Sequence, residues 1–261
     1  MAFPMSRLLL ACITVSALSA PAVAADQKPS NFRRTGIATG GTLAIDFSHI
    51  FEQRLDDTTL DAALGGVPAG SSATNLELET YEILTRLAGG WSDPEGETGV
   101  EIYLQIGAVD AKMTGAAGAS SLVVDRGWAF AIGGGARYRF LYVGGFSLFL
   151  DGWGRWSEGT ADITVGGTAV PGAKLELGQW EASLYASYDF KLGEKFVIAP
   201  YGGLLLSGSH VDVKGVFRTD QRDVFGVLGG VEMGINERFT LYAEGRFVNQ
   251  TTVTVGLAIG F

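Results

Sequence analysis

The chain has 261 residues, with 19 basic and 28 acidic side chains, 38 glycines, seven prolines and one cysteine. A net charge of −9 with no basic cluster argues against nucleic-acid binding. The lone cysteine, Cys12, leaves the remainder without a disulfide framework or thiol chemistry.

Residues 1–25 read as a cleaved secretory signal. Arg7 precedes the apolar run from Leu8 to Val15, and Ala20-Pro21-Ala22-Val23-Ala24-Ala25 supplies a small-residue cleavage site. Leu9-Leu10-Ala11-Cys12 is similar to a lipoprotein box, but only four residues separate Arg7 from the cysteine, too few for an apolar region of about 7–15 residues. Cleavage would leave 18 basic and 28 acidic residues, a net charge of −10. Residues 26–40, with Arg33-Arg34, read as a short periplasmic lead-in, too short for a plug domain.

From 41 to 261 the sequence carries ten stretches of period-2 alternation, near 41–54, 75–91, 97–112, 125–141, 145–158, 175–191, 195–211, 222–235, 238–248 and 251–261. In 179–190 the even residues are Trp180, Ala182, Leu184, Ala186, Tyr188 and Phe190. The odd ones are Gln179, Glu181, Ser183, Tyr185, Ser187 and Asp189. Connections near 92–96, 141–144, 191–194 and 236–237 read as tight turns. Those at 55–74, 113–124, 159–174 and 212–221 read as longer loops rich in small residues. Short turns at one end and long loops at the other are the arrangement of outer-membrane barrels. The expected fold is therefore all-β: a single closed antiparallel transmembrane β-barrel of about ten strands, with eight as second choice.

Aromatics support it. Trp91, Phe140, Phe146, Phe190, Phe196, Phe239 and Phe261 fall at the short-turn ends; Trp128, Trp156, Trp180, Phe225 and Phe247 fall near the opposite ends. Two aromatic girdles around an apolar band suit a lipid bilayer, whereas a β-sandwich would gather its aromatics mid-strand. The expected location is the outer membrane of a Gram-negative bacterium.

The last strand, "TTVTVGLAIGF", places Val253, Val255, Leu257, Ile259 and Phe261 on one parity. It resembles the C-terminal signature that bacterial outer-membrane barrels present to their assembly machinery, which implies insertion by that machinery. "YEILTRLAGGWSDPEGETGVEIYLQIGAVDA" and "WEASLYASYDFKLGEKFVIAPYGGLLLS" resemble the hairpins of small OmpA-like or opacity-like outer-membrane proteins. Eight strands is the commonest number in those families, against ten counted here, and no site is carried over from them.

The inward parity carries Asp46, Glu82, Arg86, Glu101, Arg137, Arg139, Asp151, Arg155, Glu181, Asp189, Glu232, Glu244 and Arg246. Every base among them is Arg, whose planar fork pairs bidentately with carboxylates. Two readings stand. The charges form a self-satisfied internal core, since small barrels fill with their own side chains; or Arg137, Arg139 and Arg155 face Glu181, Glu232 and Glu244 across the constriction of a narrow pore open to small solutes, with Asp151 and Arg246 beside them.

Other chemistry is thinly represented, and no catalytic function is expected. His210-x-Asp212 is loosely similar to the Asp-x-His pair of the omptin proteases, in reversed order. Ser207 and Ser209 near His210 raise a lipid A deacylase arrangement, for which no orienting third group is specified. A rim hydrolase using His210 is the minor alternative; surface-loop adhesion is another. His49 reads as a girdle residue. Asp56, Asp57 and Asp61 read as a solvated loop before a cation site. No phosphate-loop or cofactor motif occurs. The expected partners are outer-membrane lipid, lipopolysaccharide and the assembly machinery.

Overall fold

The computed structural model describes residues 40–93, 97–193, 195–222, 224–235, 238–248 and 250–261. The signal at 1–25 and the lead-in as far as residue 39 lie outside these residues, while Gly40 already belongs to a strand. Among the described residues every regular element is a strand.

Ten strands make the wall: β1 Gly40–Arg54, β2 Ser72–Ser92, β3 Gly99–Ala117, β4 Ser120–Val143, β5 Phe146–Val165, β6 Thr168–Tyr188, β7 Phe196–Val213, β8 Phe225–Ile235, β9 Phe239–Phe247 and β10 Gln250–Gly260. Short segments Thr58–Thr59, Phe190–Leu192 and Phe217–Asp220 pair along β2 and β7. Each strand pairs antiparallel with its chain neighbours, and β1 pairs with both β2 and β10. The sheet is thus closed, with its backbone groups satisfied without water, as a bilayer demands. Phe261 completes the seam: its N–H donates to Gly41 O and its own carbonyl accepts from Gly41 N–H, both at 3.0 Å.

The wall is taller than the alternation suggests on one side. Residues 113–124 and 159–174, expected as loops, are strand almost throughout, with tight turns at Gly118 and at Gly166–Gly167, all three at positive φ. The reason is visible on β6. Below Gly178 its outward residues are Trp180, Ala182, Leu184, Ala186 and Tyr188, and its inward ones Gln179, Glu181, Ser183, Tyr185 and Ser187. Above that point Lys174 and Glu176 face out, and Leu175 and Leu177 face in, fully buried. β5 does the same: Leu148, Leu150 and Trp156 give way outside to Glu158, Thr160 and Asp162, while Arg155 and Ser157 give way inside to Ala161, Ile163 and Val165.

This reversal marks the membrane boundary. Where lipid surrounds the barrel, apolar side chains face out and polar ones face in; where water surrounds it, the burial preference turns over. The aromatics frame the apolar band. Trp128, Trp156, Trp180, Phe225 and Phe247 are outward and about half exposed at its upper edge, as are Trp91, Phe190, Phe196, Phe239 and Phe261 at its lower edge. An exterior of this kind is that of an outer-membrane barrel.

Above the boundary the barrel changes size. β8, β9 and β10 stop near Phe225, Phe247 and Gln250, while β2 to β7 continue. Phe217–Asp220 takes the vacated place. It pairs with β7 on one side, and on the other meets the continuation of β1 through Leu55 against Gln221, Asp56 N–H to Asp220 O at 2.7 Å and Arg222 N–H to Arg54 O at 3.0 Å. The head is therefore an eight-stranded barrel standing on a ten-stranded one. Eight strands enclose only enough room for side chains, and here they are apolar: Leu76, Leu78, Met113, Leu122, Val124, Ile163, Leu175, Val213 and Phe217 form part of one buried cluster.

Candidate functional site

The lumen beneath the head is where the sequence places the charged residues. Asp46, Glu82, Arg86, Glu101, Arg137, Arg139, Asp151, Arg155, Glu181, Glu232, Glu244 and Arg246 are all buried and inward; Asp189 is half-buried at the lower rim.

Their contacts join neighbouring strands and also strands across the lumen. Arg137 gives Nε and Nη2 to Asp151 Oδ2, both at 3.1 Å, and its Nη1 lies 3.6 Å from Glu101. Tyr103 donates to the other Asp151 oxygen at 2.7 Å, reaching from β3 to β5 across β4. Arg155 Nη2 meets Glu82 Oε1 at 2.5 Å and Gln179 Oε1 at 2.6 Å. Because β5 and β2 are separated by two strands, the Arg155–Glu82 pair is a chord across the lumen. Arg246 on β9 makes a second chord to Glu181 on β6 at 3.3 Å, while holding Glu244 at 2.9 Å. Tyr201 donates to Glu244 at 3.0 Å. Arg139 and Arg86 stack over Tyr142 and Tyr103, at 5.1 and 5.5 Å from the ring centroids. Glu232 is completely buried.

Inward glycines make room for the large rings. A Cβ on Gly135 would overlap the Tyr103 ring, one on Gly230 the Tyr201 ring and one on Gly256 the Tyr242 ring. Phe149 and Tyr185 stack at 5.0 Å beside Tyr201, Leu205 and Leu228. A small cavity lies directly under the head, lined by Glu82, Arg155, Glu181, Arg246, Gln250 and Thr252 among others. Its ceiling is polar: Gln53 on β1 donates to Ser209 on β7 at 2.9 Å and to Gln221 at 2.6 Å.

One inward residue at the base of the head, just above the girdle residue Trp128, escapes the parity rule. Arg126 shares its parity with the outward Trp128, yet it is completely buried. The pairing of β4 shifts register at this height against both neighbours, between Val109 and Ala111 on one side and between Asp125 and Ala131 on the other. Gly127 sits at the switch, and a glycine inside a strand is the sequence signal for such a bulge. Burial pushes the Arg126 guanidinium down to about 10, against a smaller opposing pull from Asp110.

The outer face holds the remaining candidates. His210 Nδ1 lies 2.7 Å from Asp220 Oδ1, and both side chains are exposed. Ser207 and Ser209 are buried on the opposite face of the same strand, so they do not join His210 in a triad. Asp212, expected beside His210 as an acid partner, is instead taken by Lys214 and Arg218 at 2.8 and 2.9 Å. His49 is half-buried between Phe51 and Tyr81, with Nε2 2.9 Å from Glu79. Asp57 accepts the Asn75 N–H at 3.0 Å. Among the described residues no group of three His, Cys, Asp or Glu side chains is placed to hold a metal ion.

Neither a protein-family model nor a curated protein sequence matches the chain. Solved structures with a similar backbone exist. The outer-membrane protease OmpT from Escherichia coli is 10% identical, with a TM-score of 0.48, covering 87% of this chain and 98% of its own. The β domain of the Bordetella autotransporter BrkA is 15% identical, with a TM-score of 0.47 over 86% of this chain and 100% of its own. OprG from Pseudomonas aeruginosa is 11% identical, with a TM-score of 0.35 over 87% and 98%. At these scores the likeness adds nothing to the barrel described above.

Proposed function

We propose that this chain is a structural outer-membrane barrel with a non-conducting lumen, which presents a folded head to the outside. The carrying observation is the apolar cluster inside the head, which spans the interior from Leu76 and Met113 to Leu175 and Phe217. Water and ions crossing the barrel would have to traverse it, and burying an ion among such side chains is prohibitive. The chords from Arg155 to Glu82 and from Arg246 to Glu181 brace the lumen below. On this reading the lumen charges are a polar core. The partners are outer-leaflet lipid and lipopolysaccharide around the girdles, and the assembly machinery at the β10 strand. His210, on the outer face with Asp220, has no catalytic role.

The narrow-pore reading is separated by single-channel recording. Protein shown to be folded by heat-modifiable gel mobility is placed in a planar bilayer. A silent bilayer is expected. Steady, salt-dependent steps that change on neutralising Arg155 or Glu244 would overturn the proposal.

A further inference from the structure

The head encloses its apolar space in an uneven way. Its wall turns small side chains inward, with Ala73, Ala111, Ala117, Ala131 and Ala161 all buried. The rest of the space is filled by larger wall side chains such as Leu76, Met113, Leu122 and Leu175 and by one loop segment, 60–70, which contributes Leu60, Leu64 and Val67 to the cluster. That segment crosses the mouth of the head. It is tied at one side by Asp61 N–H to Val216 O at 2.7 Å and Leu60 N–H to Ser71 O at 2.9 Å. At the other side Gly65 lies against Val165 and Val170, and Val67 against Gly118. Leu64 and Val67 close a tight turn on each other around Gly65 and Gly66, at φ +56° and +86°. Gly70, at φ +81°, is a third glycine in the left-handed region.

At the floor of the same space sits Arg126. Its Nη1 donates to Ser157 Oγ at 3.1 Å and its Nη2 to Val109 O at 3.2 Å, while Nε has no partner. Among the described residues no carboxylate ion-pairs with it, Asp110 included. In the lumen below, Arg137, Arg155 and Arg246 each hold a carboxylate. A fully buried guanidinium whose hydrogen bonds all go to neutral oxygens is costly, and an anion delivered into an apolar space would relieve it.

We propose that the head is a binding site for an anionic amphiphile, with its carboxylate or phosphate against Arg126 and its hydrocarbon tail in the place now held by Leu60, Leu64 and Val67. The loop residues act as an internal stand-in for the tail, and entry requires segment 60–70 to swing outward while the paired residues 55–59 stay in the wall. From Arg126 to the Ser120 end of β4 is six residues, about 20 Å of strand at about 3.3 Å each, a depth that suits a medium-chain tail. This goes beyond the structural reading and rests on the same apolar head; calorimetry reads the site and the bilayer recording reads conduction, so either can fail without the other. A free fatty carboxylate and an acylated outer-leaflet lipid share the required chemistry.

The test uses the full chain in lipid nanodiscs, so that detergent tails do not compete. Dodecanoate and its neutral counterpart dodecanol are titrated by calorimetry. Dodecanoate is expected to bind once per chain, about tenfold or more tighter than dodecanol, the worth of one hydrogen-bonded charge. Arg126→Gln is expected to bring dodecanoate down to the dodecanol level and leave dodecanol unchanged. A Leu60→Ala, Leu64→Ala double variant, with less stand-in to displace, is expected to bind dodecanoate several-fold tighter, and it decides the matter if Arg126→Gln does not fold. Nanodiscs with and without lipopolysaccharide separate the sources: competition assigns the site to the lipid, and its absence to the free acid. Failure of both the native chain and the double variant to bind dodecanoate saturably would overturn the proposal, as would equal affinity for acid and alcohol.

Discussion

Replacing Arg155 by Met probes the lumen brace. The Arg155 and Glu82 side chains are 4% and 5% exposed, and the pair spans the barrel from β5 to β2. Methionine fills much of the same volume but leaves Glu82 with the Thr80 hydroxyl, 3.3 Å away, as its remaining donor among the described residues. Removing one partner of a buried ion pair costs about 3–5 kcal/mol, because the other charge stays buried without compensation. Gln179 would lose both its bonds to the guanidinium as well. Adding Glu82→Gln should recover much of the loss, since exchanging a whole buried pair for neutral groups is often close to neutral. Urea unfolding in liposomes, followed by heat-modifiable mobility, reads the effect. With m-values of about 1–3 kcal/mol/M, the single variant should unfold at a midpoint lower by about 1 M or more, and the double variant should return most of the way. A single variant as stable as the native chain, or a double variant no better than the single, would refute the idea that the two buried charges compensate each other across the lumen.

Three further outcomes follow from the same geometry. Phe217→Ala, at a completely buried position of the head, should cost about 3–5 kcal/mol, seen as protease cleavage within 55–71 on intact cells while the membrane barrel keeps its folded gel mobility. Gly256→Ala should destabilise by about 1–3 kcal/mol, because the new methyl meets the Tyr242 ring; pairing it with Tyr242→Ala should then cost less than the two changes summed in denaturant titrations. Asp110 is held above the usual carboxylate value by burial and by the neighbouring Asp125. A carboxyl raised on folding stabilises the fold below its ordinary value and loses that contribution as pH rises through the raised one. Asp125→Asn should therefore lower the Asp110 titration midpoint, read by NMR, and reduce the loss of head stability between acid and neutral pH.

The membrane half was legible because lipid imposes a simple rule. Along 179–190 the alternation of Trp180, Ala182 and Leu184 with Gln179, Glu181 and Ser183 gives both the strand and its facing, and the girdle aromatics give its ends. The head was not legible in the same way. In 113–124 the inward residues are Met113, Ala117, Leu122 and Val124, and the outward ones are small and polar. Its alternation is intact but opposite in sign, and its Gly, Ala and Ser content looks like loop composition. A strand that passes from lipid into water inverts its pattern without a turn, so a reader who takes the apolar parity as outward stops at the boundary. The lumen charges were identifiable as inward, but their partners were not. Which arginine reaches which acid depends on the stagger between strands, and that places Glu82 opposite Arg155 and Glu181 opposite Arg246. Arg126 was hidden by a bulge, with Gly127 as the only sign of it.

The inversion itself is the central claim, and the chain is suited to testing it because Cys12 is its only native cysteine. Single cysteines would be placed at Leu150, outward in the apolar band, at Thr160, outward on the head of the same strand, and at Ile163, inward on the head. A membrane-impermeant maleimide applied to intact cells should label Thr160→Cys quickly and leave Ile163→Cys and Leu150→Cys unlabelled. After labelling with a small fluorophore in unfolded protein and refolding into liposomes, only the Leu150 position should be quenched by nitroxide lipids. Rapid maleimide labelling at Ile163→Cys, or lipid quenching at Thr160→Cys, would contradict the account.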